Sequence, residues 1–407
     1  MSSNLNKEYD VVIIGGGMVG ASLVAALKNH TDKKIAVIEA FSYQSDSQPS
    51  FDDRSIALSY GSRRIWEAMG LWENLQTEIE EIKSIHVSDK GHLGTTRLHH
   101  AEERVEALGY VVENRVMGRI LMEQVQDLPH VDWFCPATIE LLEQNENQVT
   151  VQINSNDDVL TLSTKLLVAA DGVQSKTRQL AGIEIEQENY QQSAVITNVQ
   201  TDQPHNNIAY ERFTEHGPIA FLPMTENRYS VVWTCESSDV QRVIGLSEKE
   251  FIAELQLRFG FRAGIIKKSG ERFAYPLAYT EAMQITKGRV VVVGNAAHAL
   301  HPVAGQGYNL ALRDAAELAE LIVNSDDPGH ALLLAGYHAK RLKDMRQVYR
   351  ITDTLVKVFS NNIEPIGHIR AMGLISLNLM PSIRSLVARQ SMGLLGRMNK
   401  LQRRLPL

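Results

Sequence analysis

Unbroken runs of β-branched and aliphatic residues recur along the chain, each closed by a glycine or an acid. Asp10 to Gly15 reads Asp-Val-Val-Ile-Ile-Gly, continuously apolar rather than alternating. That pattern predicts a short parallel strand buried on both faces. Gly20 to Asn29 follows as a predicted helix and Lys34 to Glu39 as a second buried strand, so a βαβ unit opens the chain. Two later runs, Lys165 to Asp171 and Arg289 to Gly294, have the same character, and the second leads through a turn into a helix from about Gly307.

Between these runs the period changes. Val149 to Ile153, and parts of Ser193 to Val199, Ile219 to Leu222 and Tyr229 to Thr234, alternate, which predicts antiparallel strands with one wetter face. The expected fold is α/β: a Rossmann-like nucleotide-binding domain built from separated segments, with an inserted antiparallel β-sheet domain and a C-terminal helical segment. The expected boundaries are 1–75, 106–185 and 281–345 for the first domain, 76–105 and 186–280 for the second, and 346–407 for the tail. No internal repeat or low-complexity tract interrupts this order.

Composition narrows the class. The chain has 407 residues, 44% hydrophobic and 22% charged, which is ordinary globular usage and disfavours disordered, collagen-like and coiled-coil readings. A net charge of −7 argues against a nucleic-acid partner, which would need a basic face. Two cysteines, Cys135 and Cys235, are too few for a disulfide framework or a Cys-rich zinc site, and a reducing cytoplasm is the expected setting. Met1 to Asp10 lacks a signal-peptide layout, and no run approaches the ~20 apolar residues of a spanning helix. The charge is unevenly spread. From Ile363 onward seven basic residues stand against Glu364 alone, a net +6 that leaves −13 on residues 1–362.

The first motif is Gly15-Gly16-Gly17-Met18-Val19-Gly20, a GxGxxG between a predicted strand and helix. Gly15 permits the tight turn, Gly17 lets backbone approach a pyrophosphate, and Gly20 lets helix and strand pack closely. Glu39 closes the second strand, where an acid accepts hydrogen bonds from a ribose diol. NAD and FAD remain open from this motif alone. Two further segments bear on that choice: Val168 to Arg178, containing Asp171, Gly172 and Ser175, and Gly294 to Leu310, containing Asn295, His298, His301, Pro302, Gly305, Gln306, Gly307 and Asn309.

In order and spacing these three segments resemble the fingerprints of the flavoprotein aromatic hydroxylases, the single-component class A monooxygenases related to p-hydroxybenzoate hydroxylase. The resemblance spans about residues 8–345 and implies FAD as cofactor with NAD(P)H as co-substrate. It implies that backbone amides of Gly305, Gln306 and Gly307, opening a helix, face the pyrimidine edge of the flavin, where they would stabilise negative charge. Position 295, usually Asp, would contact the ribityl chain; Asn295 keeps one acceptor and loses the charge. Asp171 and Arg178 match the motif that serves both FAD and NAD(P)H, with a local Asp–Arg pair as the plainer reading. Arg54 matches an arginine that approaches the flavin. Arg119, on a predicted helix from Val116 to Gln126, matches a flavin-phosphate contact; a solvated surface charge is the other reading of either. His298 reads as a satisfied structural histidine, and His301 with Pro302 borders the flavin. No third ligand cluster accompanies the two histidines, so no metal is expected.

The segments around Phe51 to Leu58, His86 to His92 and Glu211 to Pro218 narrow the resemblance. They look like the branch of 2-polyprenyl-6-methoxyphenol hydroxylases of bacterial ubiquinone biosynthesis, and sister enzymes act on other positions of the same ring. The implied reaction reduces FAD with NAD(P)H, forms a flavin hydroperoxide with dioxygen and passes one oxygen to the ring. Within Phe213 to Pro223, an expected wall over the substrate, His216 is the candidate for phenol deprotonation. A flavin-dependent prenyl reductase and a non-catalytic scaffold in a biosynthetic assembly are the competing classes. A polyprenylated phenol also implies contact with lipid or a partner. Ile366 to Leu401 mixes Leu, Ile and Met with spaced Arg, as amphipathic helices on anionic lipid do. A peripheral position at the inner face of the cytoplasmic membrane, or within a ubiquinone-biosynthesis protein complex, is therefore expected. The alternative for Ile366–Met380 is a helix that caps the flavin domain.

Overall fold

The structure is a computed structural model that describes residues 7–42, 54–91, 94–156, 158–300, 305–359, 373, 376 and 378–407. Its first sheet runs in the order Thr286–Lys287, Val290–Val292, Asp158–Ala169, Lys7–Ile14, Ile35–Ile38, Val131–Phe134. Every neighbouring pair from Val290–Val292 to Val131–Phe134 is parallel. Val11 to Ile14 and Ile35 to Ile38 are buried throughout, because both faces of this sheet are covered, as the unbroken apolar runs predict. The helix Met18–Leu27 is the crossover of the opening βαβ unit, and it packs against the long helix Gln306–Val323.

Parallel pairing has a consequence for the site. The carboxyl ends of Lys7–Ile14, Asp158–Ala169, Val290–Val292 and Ile35–Ile38 all fall on one edge of the sheet. The Gly15 turn, the Asp171 loop, the Gly294 turn and Glu39 leave from those ends. Motifs more than a hundred residues apart therefore meet where α/β sheets bind their ligands.

The second sheet runs His298–Ala299, Phe273–Ala282, Ile185–Thr201, Arg228–Glu236, Gly217–Met224, Ile208–Thr214, Ser84–Asp89, Thr95–His99. Its pairs are antiparallel except Ile208–Thr214 with Ser84–Asp89, which are parallel. These two strands come from distant parts of the chain, so no hairpin dictates their direction. On one face Phe221, Val231 and Trp233 pack against Phe251, Leu255 and Phe259 of the helix Glu248–Phe259. Phe221 stacks on Phe259 with ring centroids 3.8 Å apart. The other face, expected to be wetter, carries Ala220, Leu222 and Val232 and borders a cavity. Alternation here separates two apolar environments, a packed helix layer and a chamber wall.

Val149–Ser155 pairs with Asp158–Ala169 and with Ala137–Gln144 at the side of the first sheet, Ile266–Ser269 pairs with Ile185–Thr201 in the second, and Ser55–Ser59, Gly109–Glu113 and Glu80–Ile82 form a third, three-stranded sheet. No described helix is long and apolar enough to cross a membrane.

Candidate active site

One cavity of about 1170 Å³ lies between the motif edge of the first sheet and the Ala220 face of the second. Gly15 enters it at φ +101°, and a Cβ there would stand 2.4 Å from the Ala170 carbonyl oxygen. A Cβ on Gly20 would stand 1.9 Å from the Gly15 carbonyl oxygen, so Gly20 serves from beneath the turn, by letting the helix close on it. Gly17 caps the N-terminus of Met18–Leu27 and lines the cavity, leaving first-turn amides and the positive dipole end directed there.

Glu39 also lines the cavity. Its Oε2 accepts from the Gly16 amide at 2.7 Å and its Oε1 from the Phe41 amide at 2.9 Å, so the carboxylate is held at the turn with lone pairs to spare. Asp171 accepts from the Ser175 hydroxyl, and from the amide and hydroxyl of Thr177 at 3.0 and 2.9 Å. Those bonds fix the loop that carries Gly172, whose φ is +83° and whose Cβ position is open space. Asn295, exposed, lines the cavity from the Gly294 turn. Gly305, in the left-handed region, is the N-cap of Gln306–Val323, and Gly305, Gln306 and Gly307 line the same cavity. Arg54 joins them with its guanidinium 4.6 Å from the Tyr275 ring centroid.

Three candidates stand elsewhere. Arg178 is buried and donates through Nη1 to the Ala296 carbonyl at 3.0 Å, tying the Asp171 loop to the turn that carries Asn295. It does not line the cavity, and Ser175 and Thr177 rather than Arg178 bond the Asp171 carboxylate. Arg119 is exposed on the helix Asn114–Val125, 3.6 Å from Glu78 and 3.5 Å from Glu123, away from the cavity lining. His216 sits in the tight turn between Ile208–Thr214 and Gly217–Met224, outside the cavity lining, with Nδ1 3.4 Å from Glu236 and Nε2 3.7 Å from Glu215. A hairpin this short leaves its turn side chain at the sheet margin, away from the chamber in which phenol deprotonation is expected of it. Pro302, with His301 and Asp53, lies outside the described residues.

The structure also brings forward residues to which the motifs assigned no role. Asn309 is buried; its Oδ1 accepts from the Ser59 amide at 2.8 Å and the Ser62 hydroxyl at 2.6 Å, and its Nδ2 donates to Ala57 and Gly305 carbonyls at 2.8 and 2.6 Å. It uses all its capacity to fasten the Gly305 cap to Ser55–Ser59. His298 Nε2 lies 2.6 Å from Asp314 Oδ2, Arg341 donates to Asp314 Oδ1 at 2.7 Å, and the Gly294 amide reaches Asp314 Oδ2 at 3.3 Å. Burial works to raise the Asp314 pKa, but Arg341 and His298 outweigh it and hold the carboxyl at about 2. Glu211 lines the chamber from Ile208–Thr214, and burial pushes its carboxyl up to about 7. A sequence signal existed for it: the alternate set Ala209, Glu211, Phe213 places one acid in an otherwise apolar row.

The tail reading changes. In the helix Pro381–Ser391 and beyond, Ala388 and Met392 pack with Leu98 and Leu108, and Leu401 joins the main core. The Gly61 amide donates to the Met392 carbonyl at 2.8 Å, and Arg404 pairs with Glu67 at 2.6 Å. The apolar residues of Arg389–Arg404 thus close the body rather than await a surface, because they are its nearest partners for burial. Most of Ile366–Met380 lies outside the described residues. Removing residues after 388 is expected to lower Tm by several degrees and to reduce FAD retention, since burying Met392 and Leu401 is worth about 1.5–3 kcal/mol each. Calorimetry and the flavin-to-protein absorbance ratio of the truncated chain check this.

The arrangement fits FAD on this chain's own evidence: one glycine on the cavity and one directly beneath it where a Cβ would strike backbone, and, on the cavity, an open helix N-terminus, a held acid at a strand end and a second glycine-rich cap. Comparison with known proteins agrees. The FAD binding domain family matches residues 8–352. The ubiquinone hydroxylase UbiL of Rhodospirillum rubrum is 36% identical over 97% of this chain and 92% of its own. The 3-demethoxyubiquinol 3-hydroxylase of Escherichia coli is 29% identical over 96% of this chain and 100% of its own. Among solved structures, p-nitrophenol 4-monooxygenase from Pseudomonas putida has a TM-score of 0.79 at 19% identity, covering 96% of this chain and 99% of that one, which shows a shared fold. The chain belongs to the FAD-binding family. It is a flavoprotein monooxygenase of the aromatic-hydroxylase class.

Proposed function

We propose that the chain uses NAD(P)H and dioxygen to hydroxylate the ring of a 2-polyprenyl-6-methoxyphenol in ubiquinone biosynthesis. The observation that carries this reading is the continuity of one cavity. It runs from the strand-end loops, past the wall formed by Ala209, Phe213, Ala220, Leu222 and Val232, to the exposed apolar residues Ile351, Leu386 and Val387. A ring can rest against the wall while a prenyl chain leaves between those three side chains. The names of the Rhodospirillum and Escherichia relatives, a ubiquinone hydroxylase and a 3-demethoxyubiquinol 3-hydroxylase, support the substrate class.

When bound, FAD supplies the electron transfer and oxygen activation that no side chain provides. The chain's residues do the rest. Gly15, Gly17 and the first turn of Met18–Leu27 bind the pyrophosphate, Glu39 the ribose diol, and Asn295 the ribityl chain. The Gly305–Gly307 amides bind the pyrimidine edge, with Arg54 beside it. The apolar wall orients the ring and keeps the chamber dry, so that activated oxygen meets the ring before water does. Overall, phenol, dioxygen, NAD(P)H and a proton give hydroxylated phenol, NAD(P)⁺ and water.

The helix Pro381–Ser391 offers the route to lipid. Leu379, Met380, Ile383 and Leu386 are exposed there with Arg389, while Arg384 is taken up by Glu102, the pattern of a helix whose apolar residues rest on an interface.

The test is turnover of detergent-dispersed 2-polyprenyl-6-methoxyphenol by the FAD-loaded protein under isotopically labelled dioxygen. The expected product carries one labelled oxygen on the ring. A labelled product from a different ring precursor alone would make the chain a sister hydroxylase. NAD(P)H-dependent saturation of the prenyl chain without label would make it a reductase.

A further inference from the structure

We propose that Glu211 is the general base that takes the phenol proton during ring hydroxylation; this rests on the monooxygenase reading. Glu211 is in the middle of Ile208–Thr214, flanked in register by Ala220 on one neighbouring strand and Val87 on the other. The adjacent residues turn to the opposite face: Tyr210 meets Phe259 edge-on at 5.8 Å, and the Arg212 guanidinium lies beside Gly260. Alternation therefore sends the Glu211 carboxylate into the chamber with Ala209 and Phe213.

The chamber offers the phenol few other acceptors. Glu39 and Asp171 are committed to the turns that hold them, and His216 is outside. The charged and titratable groups around Glu211 are Tyr210 and Arg212, facing away, and Asp89, two residues beyond Val87. Arg54 and Arg384 are on other parts of the lining. Among the described residues none pairs with the Glu211 carboxylate. Burial is the cause of its raised pKa of about 7, which suits a base working near neutral pH.

A half-buried acid in an apolar wall is costly to a fold and useful to this reaction. Attack of an electrophilic oxygen needs the ring at its most electron-rich. The phenol O–H bond breaks, its proton moves to a Glu211 carboxylate oxygen, and the bond's electron pair stays on the phenolic oxygen and feeds the ring carbon that forms the new C–O bond. That carbon later loses its own proton as the ring regains aromaticity. Glu211 then returns its proton to the product oxygen or to water. The oxidant is dioxygen with NAD(P)H through FAD, as in the proposed overall reaction.

The experiment compares FAD-loaded wild type with Glu211→Gln and Glu211→Asp in two measurements. In the first, 4-nitrophenol is the bound probe and its phenolate absorbance is followed against pH. Removing a neighbouring negative charge should let the bound phenol ionise at lower pH in Glu211→Gln, by about tenfold in its ionisation constant. In the second, kcat for hydroxylation is followed against pH. Glu211→Gln should lose about 10²-fold at pH 7.5 and the limb near pH 7, with KM and flavin content within about twofold, and Glu211→Asp should recover part of the rate. An unchanged probe titration in Glu211→Gln overturns the proposal. So does a wild-type pH profile in that variant. If no phenol is hydroxylated by wild type, the monooxygenase reading fails, while the probe titration still decides whether Glu211 faces a bound phenol.

Discussion

Gly20→Ala is expected to yield protein without bound FAD, at low soluble yield. The new methyl would stand 1.9 Å from the Gly15 carbonyl oxygen, a backbone atom that no rotamer change moves. Either the helix Met18–Leu27 backs away from its strand or the Gly15 turn opens, and both displace the amides that would meet the pyrophosphate. Gly15→Ala should do nearly as much, through its 2.4 Å contact with the Ala170 carbonyl and a φ of +101° that a side chain resists. A fall of at least about 100-fold in FAD affinity, about 2.7 kcal/mol, is expected for both. Gly172→Ala is the control. Its φ is +83° but its Cβ position is empty, so it should show only conformational strain, about 1–2 kcal/mol of stability. Quenching of FAD fluorescence on titration, with urea unfolding of each apoprotein, separates the two effects. Retention of normal FAD affinity by Gly20→Ala would mean that the turn tolerates displacement.

The second large effect is expected at Asp314. Asp314→Asn leaves buried Arg341 with Asp344, at 2.6 Å, as its remaining carboxylate and removes the charge facing His298, so the cost should approach, without exceeding, the roughly 3–5 kcal/mol of a fully broken buried pair. The same carboxylate gives wild type a pH signature. Its folded pKa, about 2, lies below the ordinary value of 3.8. The stabilisation is thus fully present above pH 4 and is lost as pH falls through about 2, amounting to about 2 kcal/mol. Asp314→Asn should lack this fall. Urea unfolding at pH 5 and pH 3 captures about half of it, and an equal fall in both proteins would exclude Asp314 as its source. Because the Gly294 amide also rests on this carboxylate, the variant should load less FAD.

These two sites mark the difference between what was legible along the chain and what was not. Gly15, Gly20 and Glu39 act within one βαβ unit, over fewer than thirty residues, and local rules suffice to read them. Asp314 serves Gly294 and His298 from a different element with Arg341 from a third, and no local periodicity encodes that pairing. Glu211 and His216 make the same point at five residues' distance. His216 has the chemistry commonly sought in a base, whereas Glu211 has the position, and position depends on which face of a strand meets the chamber.

By itself the sequence determined the local conformations: short unbroken apolar runs closed by glycine or acid, which predict doubly covered parallel strands, glycines where the backbone needs φ above zero, and three motifs in a fixed order. It also determined that the last 45 residues are basic and apolar. Only the tertiary structure decided which of these meet. Parallel pairing gathers the three motifs on one edge. Burial turns the ends of the tail inward on Leu98, Leu108 and Gly61 while leaving Leu386 and Val387 at the cavity opening. The physical reason is one of range: backbone preference and hydrophobic period act over a few residues, whereas burial and charge pairing are settled by whatever the fold brings near.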